Sequence, residues 1–136
     1  MWVVTHLYAG LALALLPLPL WALVLVMLAS HVAMDLIPHW DYTRTRHAVR
    51  WGALDFGAGL LTVVLGYLAF GAAPRILLLG ILAAAPDFDV LFNGRHGRYW
   101  FPSHRPPFPH GSCRPLPGIA VQAAIVAAAG AALALT

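Results

Sequence analysis

Residues 3–36 read VVTHLYAGLALALLPLPLWALVLVMLASHVAMDL, an apolar run that few polar side chains interrupt. One straight helix of this length would be roughly 50 Å long, well beyond a hydrocarbon core of about 30 Å. Pro17 and Pro19 lack backbone N–H donors and disfavour a continuous helix. The stretch therefore predicts two short helices, over about 3–16 and 20–36, joined by a tight turn. A single kinked and tilted helix is the alternative.

The composition extends the membrane interpretation to the whole chain. Hydrophobic residues make up 61% of it and charged residues 10%, whereas soluble proteins have about 25% charged residues. A water-soluble fold could not cover its surface with so few charges, but lipid favours such a composition. The arginines lie between the apolar segments and form no basic stripe, so the net charge of +3 does not indicate a nucleic-acid partner. We predict one integral membrane domain of the all-α class over residues 1–136.

Later apolar segments predict three more helices, over about 51–70, 74–92 and 118–135. Pro86 either kinks the second of these or ends it. Between the last two lies a loop over about 93–117, which holds six of the eleven prolines. The fold expected from these segments is a bundle of about five short transmembrane helices.

Charge distribution predicts how this bundle lies in the membrane. Five crossings place the N-terminus, the 37–50 loop and the 93–117 loop on one side. These two loops hold seven of the eight arginines, and the other side has only Arg75. The positive-inside rule then puts the arginine-rich face in the cytoplasm. The same parity brings all seven histidines and all five aspartates close to that face.

The segment SHVAMDLIPHWD, residues 30–41, is the strongest candidate for a functional motif. His31 and Asp35 are four residues apart, so they share a helix face and could bind one cation. An aspartate within an apolar helix costs about 2.5–3.5 kcal/mol on insertion and usually faces a bundle interior with a partner. The alternative is that the two side chains pair only with each other and fix the helix.

Aspartates at two further places are candidate ligands. In PDFD, residues 86–89, Asp87 could bind the cation while Asp89 orients a neighbouring ligand, or both could be solvated acids at a helix end. Asp55 is the one charge within its apolar helix, which favours a functional role. A salt bridge from Asp55 to Arg50 or another loop arginine is the alternative.

Three more histidines complete the candidate set. His6 follows Thr5 at the start of the first helix, where it is either a ligand or an interfacial residue. His104 and His110 lie in a proline-stiffened loop that either presents ligands or is simply polar and interfacial. Imidazole and carboxylate without a thiolate cluster suit a borderline divalent cation. Zinc fits best, with manganese and iron as alternatives.

Together, Thr5-His6, the 30–41 motif, Asp55, Pro86-Asp87 and the two loop histidines resemble a known arrangement. The chain resembles the small bacterial integral membrane proteins labelled membrane-bound metal-dependent hydrolases. These are distantly similar to zinc-dependent phospholipase C-like proteins, which also open with a Thr-His pair. The resemblance implies a bacterial inner-membrane protein with a metal site built from His6, His31, Asp35, Asp55, Asp87 and a loop histidine, His104 or His110.

The first functional hypothesis is a metal-dependent hydrolase at the cytoplasmic membrane surface. A bound metal lowers the pKa of water towards about 7, and Asp41 or Asp89 would accept the proton. Arg44, Arg46 or Arg105 could hold a phosphate oxygen through forked hydrogen bonds. The interfacial position favours a lipid phosphate or ester as substrate.

The second hypothesis is a non-catalytic small subunit of a larger membrane complex, with a structural or cofactor-binding His/Asp site. The alanine-rich last helix suits packing against a partner or lipid. A transporter or channel is disfavoured because the ionisable groups do not cross the membrane.

Overall fold

The computed structural model describes residues 1–69, 71–93 and 98–135, without the side chains of residues 44 and 91–93. Over these residues the protein is all-α, as predicted. The helices found there are α1 (Val3–Leu13), α2 (Leu20–Leu36), α3 (Ala48–Leu68), α4 (Pro74–Ala84), α5 (Asp87–Asn93) and α6 (Pro115–Ala134). Two 3₁₀ turns, Tyr42–Arg44 and Pro102–His104, lie in the connections.

The proline pair between α1 and α2 breaks the first apolar run into two helices, as predicted. α1 ends at Leu13, three residues before the predicted end, and the chain turns back before Leu20. Pro19 is the N-cap of α2 in an extended conformation, and its missing N–H is no loss at a position where that donor would be unpaired. The single kinked helix is therefore wrong.

Proline also changes the other predicted boundaries. The helix predicted over 74–92 is divided at Pro86 into α4 and α5, because proline cannot donate the next helical hydrogen bond. α6 starts at Pro115 in place of residue 118, since proline is favoured in the first helical turn. α3 begins three residues early, at Ala48, and its predicted end at residue 70 lies outside the described residues.

α1 is the central helix and packs against α2, α3, α4 and α6. Its closest approach is to α4 at Gly10, where an added Cβ would lie only 2.5 Å from the Ala83 Cβ. Small residues allow two helix backbones to approach in this way. Two apolar clusters fill the space around α1. The buried members of the first are Val3, Leu7, Leu11, Leu77 and Ala84. Those of the second are Ala14, Leu23, Met27, Leu79 and Ala83.

The surface of α3 and α6 is apolar and exposed. Both helices are long and apolar enough to cross a membrane, at 21 and 20 residues. Only 11% of the apolar stretch of α3 and 17% of that of α6 is buried within the protein. Neither helix is therefore the buried core helix of a soluble fold. The prediction of about five such helices is wrong for the described residues. α1, α2 and α4 are equally apolar but only 11 to 17 residues long.

The segment that precedes α6 is fixed to the end of α2 by backbone contacts. Gly111 N–H donates to the Asp35 carbonyl at 2.8 Å, His39 N–H to the Gly111 carbonyl at 3.3 Å, and Cys113 N–H to the His39 carbonyl at 3.0 Å. His39 and Ser112 form an isolated parallel bridge. Part of the predicted 93–117 loop is therefore held against the exit of α2.

Candidate metal centre

Five titratable side chains from four parts of the chain meet at one end of the bundle. α1 contributes His6, α2 contributes His31 and Asp35, the start of α5 contributes Asp87, and the second 3₁₀ turn contributes His104. The first four are buried and His104 is half-buried. The structure thus brings these five candidate ligands together.

The histidines point their Nε2 atoms at the two carboxylates. The distances to Asp35 oxygens are 3.4 Å from His6, 3.3 Å from His31 and 3.5 Å from His104. Those to Asp87 oxygens are 3.8, 3.9 and 3.7 Å in the same order. Three imidazole nitrogens and two carboxylates therefore surround one small volume.

His31 is held in an orientation typical of a metal ligand. Its Nδ1 lies 2.8 Å from the carbonyl of Ala83 in α4, so in the neutral ring Nδ1 carries the proton and Nε2 has a free lone pair. Metal-binding histidines usually donate their other N–H to such an acceptor. The His6 ring stacks on His31 with centroids 3.9 Å apart, and the Nε2 atoms of both rings lie near the Asp35 carboxylate.

Several buried polar atoms of this cluster have no hydrogen-bond partner in the described part of the chain. They are both ring nitrogens of His6, Oδ2 of Asp87 and Nδ1 of His104. An unpaired buried polar atom costs about 1–3 kcal/mol, and more if it is charged. A divalent cation would satisfy the inward-facing lone pairs at once, so the residues present fit a metal.

Asp35 joins this cluster to a second group. Its Oδ2 accepts a hydrogen bond from Ser103 Oγ at 2.8 Å, and its Oδ1 accepts one from the Met1 amine at 2.9 Å. Ligand atoms of Asp35, His39 and His110 also lie within 4.8 Å of one another. Asp35 therefore belongs to two candidate metal groups.

The three loop histidines differ in their electrostatics. Burial, assisted by the positive N-terminal amine, lowers the pKa of His39 to about 4 and also lowers the pKa of His110. Burial opposes protonation of His104 too, but the Asp35 and Asp87 carboxylates outweigh it and raise its pKa. His39 is therefore a neutral imidazole near pH 7, the form that binds metals.

Asp89 has a different environment from the one predicted for a proton acceptor. Its Oδ2 accepts the backbone N–H groups of Trp100 and Phe101 at 2.6 and 2.7 Å, and lies 3.6 Å from Nδ1 of His104. The carboxylate thus fixes the backbone before the second 3₁₀ turn and faces the outer nitrogen of His104. Asp87 and Asp89 are both buried, so they are not solvated acids at a helix end, and the ligand and orienting roles stay a prediction.

Asp55, predicted as a ligand, belongs to none of the three candidate metal groups among the described residues. Its carboxylate instead accepts the N–H groups of Val3 and Val4 at 2.8 and 2.9 Å and the Tyr42 hydroxyl at 3.0 Å. The first N–H groups of a helix have no partner within it. Asp55 therefore caps α1 from the neighbouring helix α3.

The remaining predicted residues are spread over the rim. Asp41 accepts from Thr43 N–H at 2.8 Å and lines a pocket of about 350 Å³ together with His110, Thr45 and Cys113. Arg105 Nε donates to the Tyr99 carbonyl at 2.6 Å. The side chain of Arg44 lies outside the described residues.

Two residues that surround Asp35, namely His39 and Ser103, are absent from the predicted ligand set. His39 is fully buried and lies four residues after Asp35, so its spacing within the 30–41 motif was an available signal. Ser103 donates to Asp35 from the loop, and nothing in the sequence distinguishes it from a surface serine. Comparisons with protein-family models, curated proteins and solved structures find no match to this chain.

Proposed function

We propose that the protein is a membrane-embedded, metal-dependent hydrolase that acts on a lipid phosphate or ester. The observation that carries the proposal is the convergence of three imidazole Nε2 atoms on the carboxylates of Asp35 and Asp87, with buried polar atoms left without partners. Neutral imidazole and carboxylate favour zinc, with manganese and iron as alternatives. The resemblance to membrane-bound metal-dependent hydrolases agrees with this chemistry.

The membrane location is supported by the outer surface of the bundle. α3 and α6 expose apolar side chains such as Leu60, Leu61 and Leu116, all more than half exposed. Water would make such surfaces prone to association, whereas lipid covers them without cost. We propose that the bundle crosses a bacterial inner membrane and that its metal-binding end faces the cytoplasm, where the arginine-rich connections lie.

Single-cysteine labelling tests this topology. In a Cys113→Ser background, Thr45→Cys and Arg105→Cys should react with a membrane-impermeant maleimide only after the cytoplasmic side of the vesicle is exposed. Ala73→Cys, between α3 and α4, should show the opposite sidedness. Labelling of positions 45 and 105 from different sides would contradict the proposed arrangement.

The pocket beside His110 suits a substrate headgroup. Its wall carries Asp41, whose Oδ1 is used by Thr43 N–H. A carboxylate has about four acceptor positions, so Asp41 can also take a proton from an attacking water. When bound, a divalent cation supplies Lewis-acid chemistry, polarising a phosphoryl or carbonyl oxygen and lowering the pKa of water. Arg105, at the exposed rim, has further N–H donors for a phosphate oxygen.

Hydrolysis should be measured on phospholipids, polyprenyl phosphates and carboxylic esters in mixed micelles with the zinc-loaded protein. Asp41→Asn should lower kcat by about 10²-fold or more, the usual contribution of a general base, without lowering the metal content. Turnover by the wild type that never exceeds that of Asp41→Asn would reject the enzyme. Stoichiometric copurification with a larger membrane complex in that case would favour the subunit hypothesis, for which the exposed faces of α3 and α6 offer packing surface.

A further inference from the structure

A second pair of histidines lies beside the cluster that supports the proposed function. Nε2 of His39 is 3.1 Å from Nε2 of His110. One ring nitrogen of each histidine, together with a carboxylate oxygen of Asp35, lies within 4.8 Å of the others. The backbone contacts between the end of α2 and residues 111–113 hold these side chains in register.

The position of the proton on the His39 ring determines what its Nε2 offers to His110. Its Nδ1 lies 2.7 Å from the carbonyl of Ile37, which has no proton to give, so Nδ1 is the protonated nitrogen of the neutral ring. Nε2 of His39 then presents a lone pair to His110. This is the same carbonyl-oriented arrangement as that of His31, and it is typical of histidines that bind metals.

Asp35 is common to both groups. Its Oδ1 lies 3.4 Å from His6 Nε2 and its Oδ2 lies 3.3 Å from His31 Nε2, and Asp35 also belongs to the group with His39 and His110. A carboxylate has two oxygens and about four acceptor positions. The Met1 ammonium donates to Oδ1 at 2.9 Å, so a second cation would take the place of this positive group, and the one carboxylate would then bind two cations.

We propose that the protein holds two divalent cations, the second between Asp35, His39 and His110, with the Asp35 carboxylate shared. This inference rests on the proposed function and adds a second site to it. Three protein ligands is the number found in catalytic zinc sites, where the remaining position takes water or substrate. His110 also lines the pocket that carries Asp41, so the second site is the one that borders the substrate. Paired metals that act on both oxygens of a displacement are common in phosphate-ester hydrolysis.

Metal counting tests the second site without reference to activity. Chelator-stripped protein in detergent is titrated with Co²⁺ by visible absorbance and with Zn²⁺ by calorimetry. The wild type should bind two equivalents. His110→Ala, a change in a half-buried loop residue, should bind one, and so should His6→Ala, which removes a ligand of the first site only. His47→Ala, at an exposed histidine, is the matched control and should bind two.

The outcomes separate this inference from the proposed function. One equivalent in both wild type and His110→Ala would overturn the second site and leave the first site intact. No binding by the wild type would overturn both. Two equivalents in the wild type and one in His110→Ala, with unchanged helical content, would establish the second site.

Discussion

Asp35→Asn is expected to lose both cations and all metal-dependent turnover. The substitution preserves the shape of a fully buried side chain but removes the negative charge that faces His6, His31 and His104. The affinity of both sites should fall by at least 100-fold, since charged ligands dominate the binding of a divalent ion at a buried site. Elemental analysis of the purified protein and the Co²⁺ titration measure this directly.

Two matched variants show whether the effect is specific to the shared carboxylate. Asp41→Asn removes a charge from the pocket wall and should keep both equivalents. Ser103→Ala removes one hydrogen bond to Asp35 and should weaken binding by about tenfold, within the range of changes behind a ligand. Wild-type metal content in folded Asp35→Asn would refute the central role of Asp35.

Asp55→Ala is expected to destabilise the fold and leave the metal sites filled. The change leaves two backbone N–H groups of α1 and the Tyr42 hydroxyl without their acceptor. Loss of a helix cap costs about 0.5–2 kcal/mol, and stranded buried donors cost more. We expect about 3 kcal/mol in the free energy of unfolding, or a fall in apparent Tm on the order of 10 °C. Thermal unfolding in detergent, followed by circular dichroism, measures the shift.

Tyr42→Phe is the control for this prediction. It removes one of the three hydrogen bonds to Asp55 and keeps both backbone contacts, so about 1 kcal/mol should be lost. The ligand role predicted from sequence would be restored if Asp55→Ala lost one metal equivalent at an unchanged Tm.

The helix breaks and the position of the candidate ligands at one end of the bundle were accessible from sequence because they depend on local chemistry. Pro17 and Pro19 end a helix wherever they occur in an apolar run. Once that break is placed, the alternation of helix direction puts His6 and His31 at the same end of the bundle. The same reasoning located Asp87 and His104, since Asp87 follows the end of α4 and His104 lies in the connection between α5 and α6.

The roles of Asp55 and His39 depended on packing between distant segments. Asp55 is buried and charged, as ligands are, but the groups that reach it are backbone N–H donors at the start of α1. His39 gains its place from hydrogen bonds to residues 111–113, which no local pattern encodes. Residue type therefore indicated that Asp55 and His39 have a specific role. Only the contacts in the structure distinguished the helix cap, Asp55, from the candidate ligand, His39.

The wide separation of the ligands along the chain has a consequence for assembly. His6 belongs to the first helix, whereas His110 immediately precedes the last one. Bringing these two histidines together costs loop-closure entropy. A partly synthesised chain lacks the contacts that would offset this cost. Under the proposed function, a cation that needs ligands from both segments can bind only after His110 has been synthesised. We therefore expect metal binding at the proposed sites to follow the synthesis of residues 104–110.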